Sequence, residues 1–244
     1  LANSNFQGSI LCSDSILINA LEAGVTPEKF PKFYVVTIDA GADMRDFYDS
    51  EIVNKYGKKI NGIFGTVTDP SVLDRAREAE IKPHWLHCLF DYNEGKKSFN
   101  QISALMVRTK NHVNGLPAIQ TGGNAGTSAW FISWKILKCS TVCLIGIDHG
   151  WSESDPWEKI TSSGYELDVT IDKNDPAVKT LFPTIYNPEF DCKCILDPIF
   201  QYYGNALKEF IARASTSLTT INATEGGSIF GEGINCMKFE EFLQ

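Results

Sequence analysis

Short β-branched or aromatic runs alternate along this chain with helical stretches, and that alternation restricts the fold more than any single residue does. Ser9–Cys12, Phe33–Ile38, Ile60–Val67, His84–Phe90, Ala118–Gln120, Thr141–Ile147 and Leu218–Ile221 read as strands. Between them, Ile16–Ala23, Asp43–Tyr56, a stretch opened by Asp69-Pro70, Ser98–Arg108, Ser128–Lys138 and Pro198–Ala214 read as helices. The punctuation agrees. Ser13-Asp14 can cap orphan backbone N–H groups, Gly24 and Gly57 supply stops, and Pro70 falls in a first turn, where its missing N–H costs nothing. Strands joined by helical crossovers pair in parallel, so the expected fold is α/β, a three-layer, doubly wound and mainly parallel sheet. Residues 150–196 are richer in Pro, Asp and Ser and lack a period. They read as a long lid-like excursion within a single domain spanning 1–244.

At 244 residues such a domain buries on the order of 70% of its unfolded surface and needs no metal or disulfide staple. Hydrophobic residues at 43% and charged residues at 21% exclude wholesale disorder. The excess of 30 Asp+Glu over 22 Lys+Arg repels nucleic acid and anionic membranes, and Lys58-Lys59 and Lys96-Lys97 are isolated pairs, so no basic patch offsets it. No apolar run approaches the roughly 18 residues of a membrane span. The seven cysteines are odd in number and scattered, with Cys143 inside an apolar run, which fits reduced thiols and a cytoplasmic setting.

In a doubly wound sheet, ligands sit beyond the carboxyl ends of the strands. Four expected strands end there in polar groups: at Ser13-Asp14, at Asp39, at the glycine loop after Gln120, and at Asp148-His149. The loop Thr121-Gly122-Gly123-Asn124-Ala125-Gly126-Thr127 opens a helix, so its backbone N–H groups and the helix dipole suit a phosphate. A tight strand–helix turn explains the same residues, and the spacing is neither a Walker loop nor a Rossmann fingerprint. Asp148 reads as a cleft carboxylate for a metal, a sugar hydroxyl or base work, or as a turn cap; His149 reads as a general base or as a backbone-bonded turn residue. His84, His87 and His112 lack a spaced partner, and Cys192-Lys193-Cys194 is too tight for a zinc knuckle. Tyr202 and Tyr203 point in different directions from one helix, one of them free to face a cleft. Asn222-Ala223-Thr224-Glu225-Gly226-Gly227 forms a second glycine-containing edge loop.

Gln120–Ala129, followed by Leu144-Ile145-Gly146-Ile147-Asp148-His149-Gly150-Trp151, resembles the domain shared by archaeal 6-hydroxymethylpterin diphosphokinases and motility-accessory-factor glycosyltransferases. Ile221–Gly227, and Asp14 with Gly24-Val25-Thr26-Pro27 and Val36-Thr37-Ile38-Asp39, look like the accessory-factor branch. The resemblance covers nearly the whole chain. Ile145-Gly146-Ile147-Asp148 after a glycine loop and helix is also similar to bacterial sialyltransferases that use a CMP-activated sugar. What this kinship implies is a Rossmann-like nucleotide-binding domain with its donor across the edge loops.

The departures from these families are informative. Ile38-Asp39-Ala40-Gly41 and Trp85-Leu86-His87-Cys88 stand where the kinase branch carries its acidic and histidine-rich motifs. Cys192-Lys193-Cys194 stands where the sialyltransferases place a catalytic histidine, and Trp151 and Tyr165 are the counterparts of their phosphate-holding tyrosines. The family also begins with a strand and a Gly-x-Gly-Pro-Ser type loop that this sequence lacks upstream of Leu1, so a longer protein with a more complete pocket is expected.

The resulting expectation is a nucleotide-dependent transferase with a CMP-linked sugar donor, no required cofactor, an acceptor of unknown identity, and room for homo-oligomerisation. Asp148 and His149 are the catalytic candidates. Ser13, Asp14, Asp39, Thr121, Gly122, Gly123, Asn124, Gly126, Thr127 and Trp151 are the nucleotide candidates, and Tyr165, Tyr202, Asn222, Glu225 and Gly226 the substrate or leaving-group candidates. The alternatives are a Mg-ATP-dependent pterin diphosphokinase and a non-catalytic nucleotide- or glycan-binding module.

Overall fold

The computed structural model describes residues 1–88, 118–162, 172, 174–214 and 216–244. The expected helix at 98–108 and Tyr165 lie outside the described residues. The chain divides into two compact units, Leu1–Phe131 and Ile132–Gln244.

The first unit is built on β1 (Ile10–Ser13), α1 (Leu17–Glu22), β2 (Phe33–Thr37), α2 (Glu51–Tyr56), β3 (Asn61–Gly65), α3 (Pro70–Glu78) and β4 (Lys82–Leu86). The strands form a parallel sheet in the order β1-β2-β3-β4, with Ile10 opposite Phe33, Tyr34 opposite Asn61 and Asn61 opposite Lys82. An isolated parallel bridge from Cys88 to Ile119 continues the series. Each crossover therefore steps one strand in the same direction, and connections of one hand place their helices on one face. Leu17 and Leu21 of α1, Val53 and Tyr56 of α2, and Val72 and Ala76 of α3 accordingly share a core with Phe33, Val35 and Phe64. Val36 and Thr37 are also fully buried, so β2 is covered on both sides, as interior parallel strands are.

Caps explain where helices begin. Asp69 accepts from the Ser71 N–H at 2.8 Å with Pro70 in the first turn, as expected from sequence. The expected continuous helix at 43–56 is instead a 3₁₀ segment, Ala42–Tyr48, followed by α2. Asp49 and Ser50 break it, because Ser50 turns extended and accepts from the Ile52 N–H to start a new helix.

The division between units falls within α4 (Ala125–Lys135). The second unit contains β5 (Thr141–Leu144), β6 (Trp151–Ser152), α5 (Trp157–Ser162), α6 (Pro176–Leu181), β7 (Thr184–Asn187) and β8 (Cys192–Ile195). These are followed by α7 (Pro198–Ala214), β9 (Thr219–Asn222), β10 (Ile234–Cys236) and α8 (Phe239–Phe242). A parallel sheet runs β10-β9-β5, and a small antiparallel sheet runs β6-β8-β7. The excursion at 150–196 thus carries regular structure. Its strands, of two to four residues, are too short for a period-2 pattern to register. Strand β5 is shorter than expected: pairing ends with Leu144 opposite Asn222, and Gly146, at φ +68°, turns the chain away. Helix α7 buries Gly204, Leu207, Phe210, Ile211 and Ala214 at helical spacing. Among the described residues no helix is long and apolar enough to cross a membrane.

Candidate functional site

The carboxyl edge of β5 and β9 in the second unit gathers polar groups from the loops that follow both strands. Beyond Leu144, the Ile147 N–H donates to Thr224 Oγ1 at 3.2 Å and ties this loop to the one after β9. Gly227 then passes directly under Asp148. A Cβ on Gly227 would lie 2.4 Å from the Asp148 carbonyl oxygen and 2.6 Å from its Cα, and the residue has φ +73°. Ser228 completes the clamp, its N–H donating to the Asp148 carbonyl at 2.8 Å and its hydroxyl to the His149 carbonyl at 2.7 Å. From β7, the buried Asn187 amide donates to the Gly227 carbonyl at 2.9 Å. Asn222 is fully buried between the Ile229 carbonyl (2.6 Å) and the Thr224 N–H (2.9 Å), so it shapes the loop from within. Glu225, at φ +64°, is exposed, and its carboxylate accepts from the Phe239 N–H.

Two titratable side chains, Asp148 and His149, stand at this edge. Asp148 is exposed overall but crowded on the side of the glycines, with Oδ1 3.8 Å from where a Gly226 Cβ would stand. That one-sided burial raises its carboxyl above the ordinary value. His149 is 7% exposed and sits at φ +41°, a backbone region uncommon for non-glycine residues and shared here with Glu80, Lys138, Asp191 and Glu225. Its ring stacks on Phe200 (6.1 Å between centroids) and meets Tyr203 at 5.9 Å. Nδ1 is buried with no hydrogen-bond partner. Burial, and secondarily the positive Lys208, hold its pKa down at about 4, so the imidazole is neutral at pH 7.

A pH dependence follows from His149. Unfolded, the ring takes a proton near 6.5; folded, it resists until about 4, so between those values the unfolded chain binds more protons. His149 therefore lends its full contribution above pH 6.5 and loses it as pH falls towards 4, a swing of roughly 3 kcal/mol. Urea unfolding across this range should show the slope in the native chain and a flatter one in His149→Phe.

Other expected residues are placed differently. The indole N–H of Trp151 donates to Asp197 Oδ2 at 2.8 Å, and its ring lies on Phe200. Tyr202 is 60% exposed, and it is Tyr203 that lies beside His149. Asn187, Asp197, Lys208 and Ser228 carry no motif, and sequence reasoning does not single out their roles.

The first unit presents its own carboxyl edge. Tyr48 and Thr37 share a 2.6 Å hydrogen bond, and the Ser15 N–H donates to the Asp14 carboxylate at 2.9 Å. Asp14 is 6% exposed; burial, with help from the Asp39 charge, raises its pKa despite that bond. Burial beside Asp14 pushes the Cys12 thiol up to about 12. Ser13 Oγ lies 3.1 Å from Ser15 Oγ, and the exposed Asp39 accepts from the Gly41 N–H at 3.0 Å.

The glycine loop takes the expected form, with Gly122 at φ +64° and Gly123 at φ +89° leading into α4. Asn124 Oδ1 accepts from the Thr127 N–H at 2.8 Å, and its amide donates to Thr127 Oγ1 at 2.9 Å. Thr127 is fully buried, and Thr121 Oγ1 accepts from the Gly123 N–H. The side chains of Asn124 and Thr127 thus build the helix start, and what the loop offers outward is backbone. From Asp39 at β2 to this loop beyond Ile119 is three strand spacings, or about 14 Å, too far for one phosphate to touch both. Among the described residues no three His, Cys, Asp or Glu side chains converge as a metal site.

No family model and no curated protein matches the chain. A solved structure, that of the MAf glycosyltransferase from Magnetospirillum magneticum AMB-1, is similar to it over 94% of this chain, with a TM-score of 0.57 and 14% sequence identity. The match covers 29% of that protein, so the chain spans less than a third of its length. The likeness is one of fold: the parallel sheets and crossover helices described above form a Rossmann-like α/β structure, the class expected from the alternation of strands and helices.

Proposed function

We propose that this chain is the nucleotide-sugar-binding and catalytic part of a glycosyltransferase, with a CMP-linked acidic sugar as donor. The observation that carries the reading is His149: a neutral imidazole with an unpartnered buried nitrogen, held beside Asp148 at a sheet edge by a glycine clamp. The likeness in fold to a glycosyltransferase supports it. In this reading His149 takes the proton of the acceptor hydroxyl as its oxygen bonds the anomeric carbon. The bond from that carbon to the donor phosphate breaks, and the nucleotide leaves with the electron pair. Asp148 orients hydroxyls by accepting their hydrogen bonds.

The test is a thermal-shift screen of CMP, CDP, UDP, GDP and ATP, each with and without Mg²⁺. A ligand at about 100 times its dissociation constant stabilises by about 2.7 kcal/mol, which for a chain of this size raises the melting temperature by roughly 5–10 °C. The expected result is a response to the cytidine nucleotides with little dependence on magnesium. A response to Mg-ATP alone would replace this reading with the diphosphokinase, and silence across the panel would replace it with the inert module.

A further inference from the structure

His149 has a neighbour that the reaction above does not use. Phe200, Gly204 and Lys208 follow one another at i, i+4 and i+8 on one face of α7. Gly204 packs that face onto the second edge loop, since a Cβ there would stand 3.6 Å from Ser228 Oγ. One turn on, the Lys208 ammonium lies 4.9 Å from the centre of the Phe230 ring. It is half-buried, and among the described residues no carboxylate pairs with it. An ammonium left out of water without a counter-charge is costly, and so is a buried imidazole nitrogen without a partner. Both lie beside the same loop, where a single anion can serve both.

We propose that His149 and Lys208 form an oxyanion subsite that holds the carboxylate or phosphate of a small substrate. In it Lys208 supplies the charge, and the imidazole in its Nδ1–H tautomer donates the hydrogen bond, which leaves Nε2 as the basic nitrogen. Ligand charge then changes the histidine. The Lys208 charge, after burial, disfavours the His149 imidazolium. Occupied, the oxyanion cancels Lys208 and stabilises the imidazolium, so binding restores the basicity that burial had removed. The other titratable groups around the pair are Asp148 and Tyr203 beside His149, and Cys194 on β8, which interacts with Lys208 and which burial holds as a thiol near 11. The Glu225 carboxylate is engaged by the Phe239 N–H. This inference goes beyond the nucleotide-sugar reading, because any small oxyanion of suitable shape fills the site.

The experiment is a titration of the His149 imidazole by NMR, assigned by comparison with His149→Gln. It is run alone and with inorganic phosphate, N-acetylneuraminate, CMP or the neutral sugar N-acetylglucosamine. Saturating oxyanion should raise the His149 midpoint by at least one pH unit while the neutral sugar leaves it in place, and the phosphate and neuraminate arms tell which group the site takes. Lys208→Met should weaken oxyanion binding at least tenfold and remove the shift, whereas Lys208→Arg retains both. An unmoved midpoint with every oxyanion overturns the proposal, as does equal affinity in Lys208→Met. If Lys208→Met does not fold, the native titration decides alone. Cytidine binding without a His149 response sinks the subsite and spares the transferase reading; a phosphate or neuraminate response without nucleotide binding does the reverse.

Discussion

Gly227→Ala should be the most damaging single-methyl substitution at the second edge loop, lowering stability by about 4 kcal/mol. Two costs combine. The residue sits at φ +73°, where any side chain is strained. The new Cβ would also fall 2.4 Å from the Asp148 carbonyl oxygen and 2.8 Å from its carbonyl carbon, and backbone cannot rotate away as a side chain can. Relief requires the two loops to part, which breaks the hydrogen bonds of Ser228 to the Asp148 and His149 carbonyls. Gly226→Ala is the control, because its Cβ meets only Asp148 Oδ1, at an ordinary 3.8 Å. Urea unfolding of the two variants should separate them by several kcal/mol, and equal stabilities would show that the loops do not clamp each other.

Asp148→Asn should leave the fold unchanged and cut turnover by about 100-fold, the scale of loss when a reacting group is misplaced. The stability half of this expectation rests on the raised pKa. Folding disfavours the Asp148 charge, so replacing it by a neutral, nearly isosteric amide removes a liability and leaves the backbone contacts with Gly227 and Ser228 intact. The activity half follows from the proposed function: an amide presents one acceptor and two donors where the carboxylate presented only acceptors, so hydroxyl orientation fails. Transfer assays and melting curves on the same preparation check both halves. Full activity would reduce Asp148 to a turn residue; a large drop in melting temperature would make its role one of folding.

Much of the architecture was legible because local rules decide it. The Asp69-Pro70 start of α3 and both ends of α7 follow from capping chemistry and helical spacing, and they stand where the sequence puts them. The edge positions of Asp14, Asp39, the glycine loop and Asp148-His149 were legible too, since a polar group directly after a parallel strand has only one end of the sheet to occupy. Strand β5 came out shorter and the 43–56 helix split, because Gly146 and Ser50 act on the backbone more strongly than the apolar pattern around them.

The candidate site divides along the same line. Which residues stand at the sheet edge is a one-dimensional property, carried by a strand's last apolar residue and the polar groups that follow it. What each of them does is set by groups far away in the chain. Gly227 braces Asp148, Asn187 braces Gly227, and Phe200, Tyr203 and Lys208 surround a histidine some fifty residues earlier. Burial and net local charge are sums over all neighbours in space, so the neutral, unpartnered state of His149 exists only once α7 and the second edge loop have closed around it. Local hydrogen bonds likewise turn Asn124, Thr127 and Asn222, polar residues in glycine loops, to build the loops they sit in.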